Sequence, residues 1–335
     1  MNIFHAYSHA APTIGADEIL EIENLKVTHI GGGVVRFSNV VNIDFPRVSQ
    51  WIDENGKTSH EQRWTYGIDE IGERYAINED GNKFSIEHQN EVPVRVLAPV
   101  TENTDEDMIT IFKSWEDSIY KCLIRYIDEY PLIVNTLWWR SRGHILRYSP
   151  GHFLGVHNDN DSNYRATEGK RYVPKGQMQM RQVIAVMLYI NDGVDSKEKL
   201  DGTNFVGGEL YFPYLGIESV PHRGDIVIFP TNYIASHGVK TVTDGIRYAY
   251  LEFYSQGNSD ESVCINVAEL DDCEDWCRPH WMDTIYDDYH KYCASGNYDK
   301  SGQSYNPAFQ NRPLEGDEGH RQSLKLAQEK LLSQQ

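Results

Sequence analysis

Residues 132–256 constrain the fold more than any other part of the chain. They hold a succession of short strand-like runs at 145–148, 183–190, 208–212, 225–229 and 247–254, separated by turn residues such as Gly and Pro. The run 183–190 is almost wholly apolar, as expected of a strand covered on both faces. The run 247–254 alternates as a half-buried strand should. No helical periodicity interrupts the series. Many short strands joined by turns specify a sandwich, a jelly roll or a barrel. The 7 Trp, 21 Tyr and 11 Phe agree, because aromatic side chains suit a pleated, half-buried surface.

The flanks are read more coarsely. Further strand-like runs occupy 26–30, 34–37, 40–43 and 92–97, and Gly31-Gly32-Gly33 between the first two reads as a tight turn. A phosphate loop would need a helix pattern after it, and none follows. Residues 104–130 hold the clearest helix: Met108, Phe112, Trp115, Ile119, Leu123 and Tyr126 recur at helical spacing, and Pro131 stops the segment. Thr104 and Asp107 resemble a capping box. Such a stripe faces a core, so this helix should cover a sheet. Residues 158–180 make a long polar loop, the kind that serves as a lid or binding loop. The expected class is mainly β with flanking helices. A β-rich region, 1–100, packs on or extends a core at 101–258, and an acidic extension follows at 259–335.

Charge and targeting exclude several functions. With 31 Lys+Arg against 50 Asp+Glu, the formal net charge is −19, and no basic stripe is present to grip phosphates. Nucleic acid is not an expected partner; an acidic surface ordinarily means solubility. No apolar stretch approaches the ~20 residues of a membrane span. Residues 1–20 lack a basic leader region, and His5, His9 and Asp17 break their apolar character, so no secretory signal is expected. Five cysteines, an odd number, argue against a disulfide framework and for a reducing, cytoplasmic setting. Asn160-Asp161-Ser162 fits a glycosylation acceptor, which has no meaning in that compartment.

Two phrases carry metal chemistry. His157 and Asp159 stand two apart, His237 follows 80 residues later, and Arg247 ten residues after that. Two histidines and a carboxylate are the facial ligand set of non-haem Fe(II), which leaves adjacent positions open for an organic acid and dioxygen. Residues i and i+2 of a strand share a face, so His157 and Asp159 can bind one ion. Among 13 His and 50 acidic residues such a pair also arises by chance, and its bland reading is a surface turn. The context favours metal. Phe153 and Leu154 lead into the pair, His237 follows the strand ending in Phe229-Pro230, and Arg247 offers a planar guanidinium for a carboxylate. Asp159, Asp161 and Asn163 begin an EF-hand spacing, but Tyr164 and Lys170 stand where that loop requires Gly and Glu. Cys273, Cys277 and Cys293, with His280 and His290, leave a second metal open. Their spacing is not a C-x-x-C pair, and plain buried cysteines are the simpler reading. Gly207-Gly208 reads as a bend or bulge.

Five ordered phrases extend the pattern: RYSPGHFLGVHND, RQVIAVMLYIND, GGELYFP, VPHRGDIVIFP and HGVKTVTDGIRYAYLEFY. In this series the chain resembles the prolyl 4-hydroxylase-like branch of the 2-oxoglutarate/Fe(II) oxygenases, over about one third of its length. The resemblance implies a double-stranded β-helix, a jelly-roll barrel with iron in its mouth. It implies His157, Asp159 and His237 as Fe(II) ligands, Arg247 as the partner of the distal carboxylate of 2-oxoglutarate, Tyr189 as a second contact to that carboxylate, and Tyr148 as a wall of the cosubstrate pocket. By position alone the two tyrosines read as core aromatics on strands. Leu154 departs from the branch, where many members carry a tyrosine, and leaves a substrate contact there open. The retained Asp159 favours hydroxylation over halogenation, in which a small residue makes room for chloride.

The implied cofactors are Fe(II), 2-oxoglutarate and O2, with ascorbate as an optional reductant; the co-products are succinate and CO2. Candidate substrate residues are Leu154, Arg181 at the head of its strand, where it is equally a surface end-residue, and Arg165 and Arg171 in the polar loop, where such cations are more often solvated. The absence of repeats and of a recognisable peptide-binding module favours a free amino acid or small specialised metabolite as substrate. A peptidyl, prolyl-type substrate is the alternative, and a non-catalytic jelly-roll binding module the second. The expected partners are a small-molecule substrate and, at most, a second copy in a homodimer.

Overall fold

A computed structural model describes residues 16–55, 65–68, 74–77, 83–85, 95–97, 104–137, 139–140, 144–161, 181–256 and 280–281, and single positions at 285, 288, 289, 291 and 292. The expected strands of the central region form two antiparallel sheets. The larger has nine strands among the described residues. Its centre is β8 (His144–Tyr148), β18 (Arg247–Gln256), β10 (Arg181–Tyr189) and β15 (Ile226–Pro230). The smaller runs β14 (Ile217–Ser219), β13 (Leu210–Phe212), β16 (His237–Val239) and β9 (Leu154–His157). The fold is a double-stranded β-helix, the jelly roll that the phrase series implied.

Period-two alternation sorts the larger sheet's side chains into two cores. Ala185, Met187 and Tyr189 of β10 join Val227, Phe229 and Ala249 inside the barrel, with Leu210, Phe212 and Val239 of the smaller sheet. Ile184, Val186 and Leu188 point the other way, into a second cluster with Ile226, Ile228 and Tyr250. Both faces of β10 are therefore covered, which is why its sequence is apolar almost throughout.

The outer core is closed by helices. α1 (Ala16–Glu23), α2 (Phe45–Asn55) and the long α3 (Glu106–Glu129) all contribute to it. In α3, Phe112, Trp115, Ile119 and Leu123 are buried in the outer cluster, as their spacing required. The N-cap is Asp105, whose carboxylate accepts from the Met108 N–H at 2.8 Å; Thr104 does not take that position, and with Met at N3 the cap is a single bond in place of the expected box. Pro131 opens a 3-10 turn, Pro131–Thr136.

The first segment departs from expectation. β1 (Lys26–Gly31) and β2 (Val34–Ser38) form a hairpin around the three glycines, and β2 pairs with β15. The run 40–43 is not a strand. The N–H groups of Val40 and Val41 both donate to the Gly224 carbonyl, pinning that stretch to the turn before β15. α1 and α2 were not expected from the pattern. In α2, Phe45, Val48, Trp51 and Ile52 face the core, and Pro46 sits in the first turn, where a missing N–H costs no intrahelical bond. β3 (Thr65–Ile68), β4 (Arg74–Ile77) and β5 (Lys83–Ser85) form a sheet of their own, and of the run 92–97, β6 (Arg95–Leu97) is a strand and pairs with β8; β11 (Gly193–Val194) belongs to a further small sheet and β19 (His280–Trp281) to the edge of the larger one. Among the described residues no helix is long and apolar enough to cross a membrane.

Beneath α3 the outer core encloses an ionic cluster. Glu252 of β18 is fully buried and accepts from Arg140 Nε at 3.1 Å and Nη2 at 2.7 Å. The Tyr250 and Tyr254 hydroxyls donate to the same carboxylate at 2.9 and 3.1 Å. Arg140 Nη2 also lies 2.8 Å from Glu116 of α3. Two carboxylates around one guanidinium hold the Arg140 pKa well above its ordinary value, against the effect of burial.

Candidate active site

His157 and His237 are brought together by strand pairing: β9 and β16 run antiparallel with these two residues directly opposed. The ring centroids stand 4.6 Å apart. Asp159 reaches both, with Oδ1 3.3 Å from His157 Nε2 and Oδ2 3.4 Å from His237 Nε2. One ligand atom from each residue lies within 4.8 Å of the others, a separation that suits one ion. Asp159 is not on the strand. It begins the 3-10 turn Asp159–Asp161, held where Asn160 donates from its N–H to the Thr231 carbonyl and from its amide to the Gln182 carbonyl. The shared face is made by this turn, and not by strand alternation.

Both imidazoles are aimed from behind. His157 Nδ1 bonds the Gly155 carbonyl at 2.8 Å, and His237 Nδ1 bonds the Ala235 carbonyl at 3.2 Å. A carbonyl only accepts, so each Nδ1 carries the proton and each Nε2 lone pair turns toward Asp159. His237 is 4% exposed and lies against Phe229 and Phe212, with centroids 4.6 and 5.6 Å away. Burial pushes its pKa down; Asp159 opposes this and His157 adds to it. A neutral imidazole is the form that binds a metal.

Deeper in the barrel, Arg247 begins β18 opposite Tyr148 of β8. Its guanidinium is fully buried, with its carbon 4.8 Å from the Tyr148 ring centroid and 5.6 Å from that of Tyr189. Among the described residues its one polar contact is Met187 Sδ, 3.3 Å from Nη2, while Nε and Nη1 have no hydrogen-bond partner. A buried cation without an anion costs several kcal/mol, and an anionic group bound at the guanidinium would offset that cost. Tyr189 Oη lies 3.5 Å from Ser219 Oγ. Burial raises the Tyr189 pKa, and Arg247 and Ser219 partly offset that, so the hydroxyl keeps its proton and can donate. An unpartnered guanidinium beside a protonated phenol is a donor set that suits a carboxylate.

The backbone around Arg247 is fixed by residues to which the motif reading gave no role. The Asn191 amide donates to the Thr203 and Ile246 carbonyls and accepts from the Tyr248 N–H, clamping the residues on both sides of Arg247. Gly208 has φ +68°, and a Cβ there would stand 2.8 Å from Arg247 Cδ; its lack of a side chain is room for the arginine. Strand β12 (Phe205–Gly207) pairs with β17 (Val242–Gly245) with a register shift at Gly207, the bulge that the glycine pair suggested. Phe212, Phe229 and Asn191 all sit inside the quoted phrases, so a closer reading of those phrases was the available signal.

The substrate candidates separate. Leu154 is half-buried on β9 and packs against the barrel core. Arg181 heads β10, and its side chain lies outside the described residues, as do Arg165 and Arg171. Cys273, Cys277 and Cys293 also lie outside them, and Cys122 is a buried thiol on α3.

Residues 143–255 match the family model described as the 2OG-Fe(II) oxygenase superfamily. No curated protein sequence matches the chain. Solved structures similar to it include the viral collagen prolyl hydroxylase of Paramecium Bursaria Chlorella virus-1 in complex with 2OG. That match has 14% identity, spans 68% of this chain and 98% of that one, and has a TM-score of 0.39. A Pseudomonas putida prolyl-4-hydroxylase matches at 13% identity over 72% of this chain and 99% of that one, with a TM-score of 0.40. A Trichoplax adhaerens prolyl hydroxylase, solved with a hypoxia inducible factor peptide fragment, matches at 14% over 78% and 92%, with a TM-score of 0.42.

Proposed function

We propose that the chain is a 2-oxoglutarate- and Fe(II)-dependent dioxygenase of the prolyl 4-hydroxylase-like branch, in which His157, Asp159 and His237 hold the iron and Arg247 the cosubstrate. The observation that carries the assignment is the Arg247 guanidinium, wholly buried with Nε and Nη1 unpartnered among the described residues, in the same barrel as the His-Asp-His group. Iron held there would activate O2, which is the oxidant: one oxygen atom would go to succinate as 2-oxoglutarate loses CO2, and the other to an unactivated C–H bond as a hydroxyl.

The chain's own residues do the rest. The Gly155 and Ala235 carbonyls keep both Nε2 lone pairs turned inward. Asp159 supplies the negative charge that a divalent cation needs and leaves no vacancy of the kind a halide would fill. Arg247 neutralises the distal carboxylate of the cosubstrate, with Tyr189 as second donor and Tyr148 as wall. Phe212 and Phe229 shield the inner histidine from water.

For the substrate, we infer a peptidyl, prolyl-type residue, in place of the free amino acid or small metabolite favoured by the sequence alone. Two features support this. The five phrases follow the prolyl 4-hydroxylase-like pattern in order. The metal group also opens to solvent on one side, since the His157 side chain keeps 28% of its exposure. Exposed Val156 adjoins His157 in sequence, and exposed Tyr233 and Ile234 stand on the turn leading to His237. The test is mass spectrometry of proline-containing peptide and free amino-acid pools after reaction with Fe(II) and 2-oxoglutarate. A gain of one oxygen on a prolyl peptide, with succinate in step, is the expected result. The same gain on a free amino acid would reverse the substrate assignment, and no succinate under any condition would return the binding-module reading.

A further inference from the structure

We propose that Arg36, on a strand outside the segment 143–255, is a positioning residue for 2-oxoglutarate, acting through Ser219 on the Tyr189 hydroxyl. The inference rests on the assignment of the Arg247 pocket to that cosubstrate.

Strand register puts Arg36 on the barrel's inner face. It pairs with Val227 of β15, and Val227 pairs with Met187 of β10. Val227 and Met187 belong to the inner core, and Met187 Sδ touches the Arg247 guanidinium at 3.3 Å. Cross-strand partners project to the same face, so Arg36 lies in that row. Its neighbours on β2, Val35 and Phe37, point into the outer core.

From there Arg36 crosses to the smaller sheet. Nη2 donates to Ser219 Oγ at 2.6 Å and to the Val220 carbonyl at 2.9 Å, while Asp225 Oδ2 stands 3.9 Å from Nε. Ser219 is fully buried, and its Oγ is 3.5 Å from Tyr189 Oη. Valence allows either hydroxyl of the Ser219–Tyr189 pair to donate, and the relay takes Ser219 as the donor. Arg36 can only donate, so it occupies a lone pair of Oγ and leaves the serine proton free to point at Tyr189. Tyr189 then accepts from Ser219, and its own proton is directed to the anion held by Arg247. Donors in series polarise one another, so a guanidinium at the head strengthens the last donor. The effect is on cosubstrate affinity and orientation, without contact between Arg36 and the cosubstrate.

The test is calorimetric titration of 2-oxoglutarate into anaerobic, Fe(II)-loaded protein. Arg36→Gln and Ser219→Ala should each weaken binding about threefold to tenfold, with Arg36→Lys recovering part of the loss. Tyr189→Phe should remove the dependence: in that background Arg36→Gln produces no further loss. Ser219→Ala removes only one oxygen and keeps the test readable if the Arg36 variants fold poorly. Unchanged affinity in both single variants would overturn the relay, and so would an equal loss with and without Tyr189. Absence of binding in the wild type is a different failure, of the cosubstrate assignment itself, and would take the relay with it.

Discussion

Arg247 carries a buried charge that a bound anion would offset. Its charge is fully buried, Nε and Nη1 lack partners among the described residues, and Gly208 gives it space that any other residue would close. Arg247→Met should therefore stabilise the metal-free protein, by about 1–3 kcal/mol, while removing cosubstrate binding. Urea unfolding of the two proteins without metal checks the sign, and a less stable variant would mean that the guanidinium has an anionic partner in the folded chain. At this scale the sequence was legible where side chains act within a phrase. His157 and Asp159 are near neighbours, and Arg247 follows His237 closely. Arg36 was not legible, because its meaning depends on Ser219, a partner 183 residues away.

At the scale of elements, the strands of residues 132–256 could be read because turn residues bound them and one covered strand is apolar on both faces. α2 could not be read in the same way. It is an eleven-residue helix with Pro46 in its first turn, and its apolar face is justified only by packing against the outer core with α3. The cluster beneath α3 joins β18 to the strand β7 (Trp139–Arg140). Arg140→Met would leave Glu252 and Glu116 buried without their cation, and should cost about 3–5 kcal/mol in denaturant unfolding. A loss under 1 kcal/mol, on the order seen for exposed pairs, would show that solvent already screens the cluster.

The turn between β8 and β9 carries a pH dependence of its own. His152 Nδ1 accepts from the Ser149 N–H, and the His152 pKa is lowered, first by burial and then by Arg147. The folded value lies below the ordinary 6.5, so the unfolded chain binds the proton more tightly. This contribution is complete above the ordinary imidazole value and is lost as pH falls through the folded one. His152→Gln should flatten part of that decline when stability is measured between about pH 7 and 5. A variant whose stability falls as steeply as the wild type would remove His152 from the explanation.

For the molecule as a whole, the jelly roll serves to hold two sets of groups in one interior: a His-Asp-His group on the smaller sheet and its adjoining turn, and a cationic pocket on the larger. Strands β1 and β2, outside the segment 143–255, extend the larger sheet and deliver Arg36 to it. The chemistry was legible from five phrases; the division of labour between the sheets needed their pairing. The most direct test of the central claim is an anaerobic titration of the metal-free protein, first with Fe(II) and then with 2-oxoglutarate, following the visible charge-transfer band of the chelated cosubstrate. The band should form in the wild type, be lost in His157→Ala, and require roughly 10- to 100-fold more 2-oxoglutarate in Arg247→Ala. A folded, iron-loaded wild type that gives no band would contradict the account.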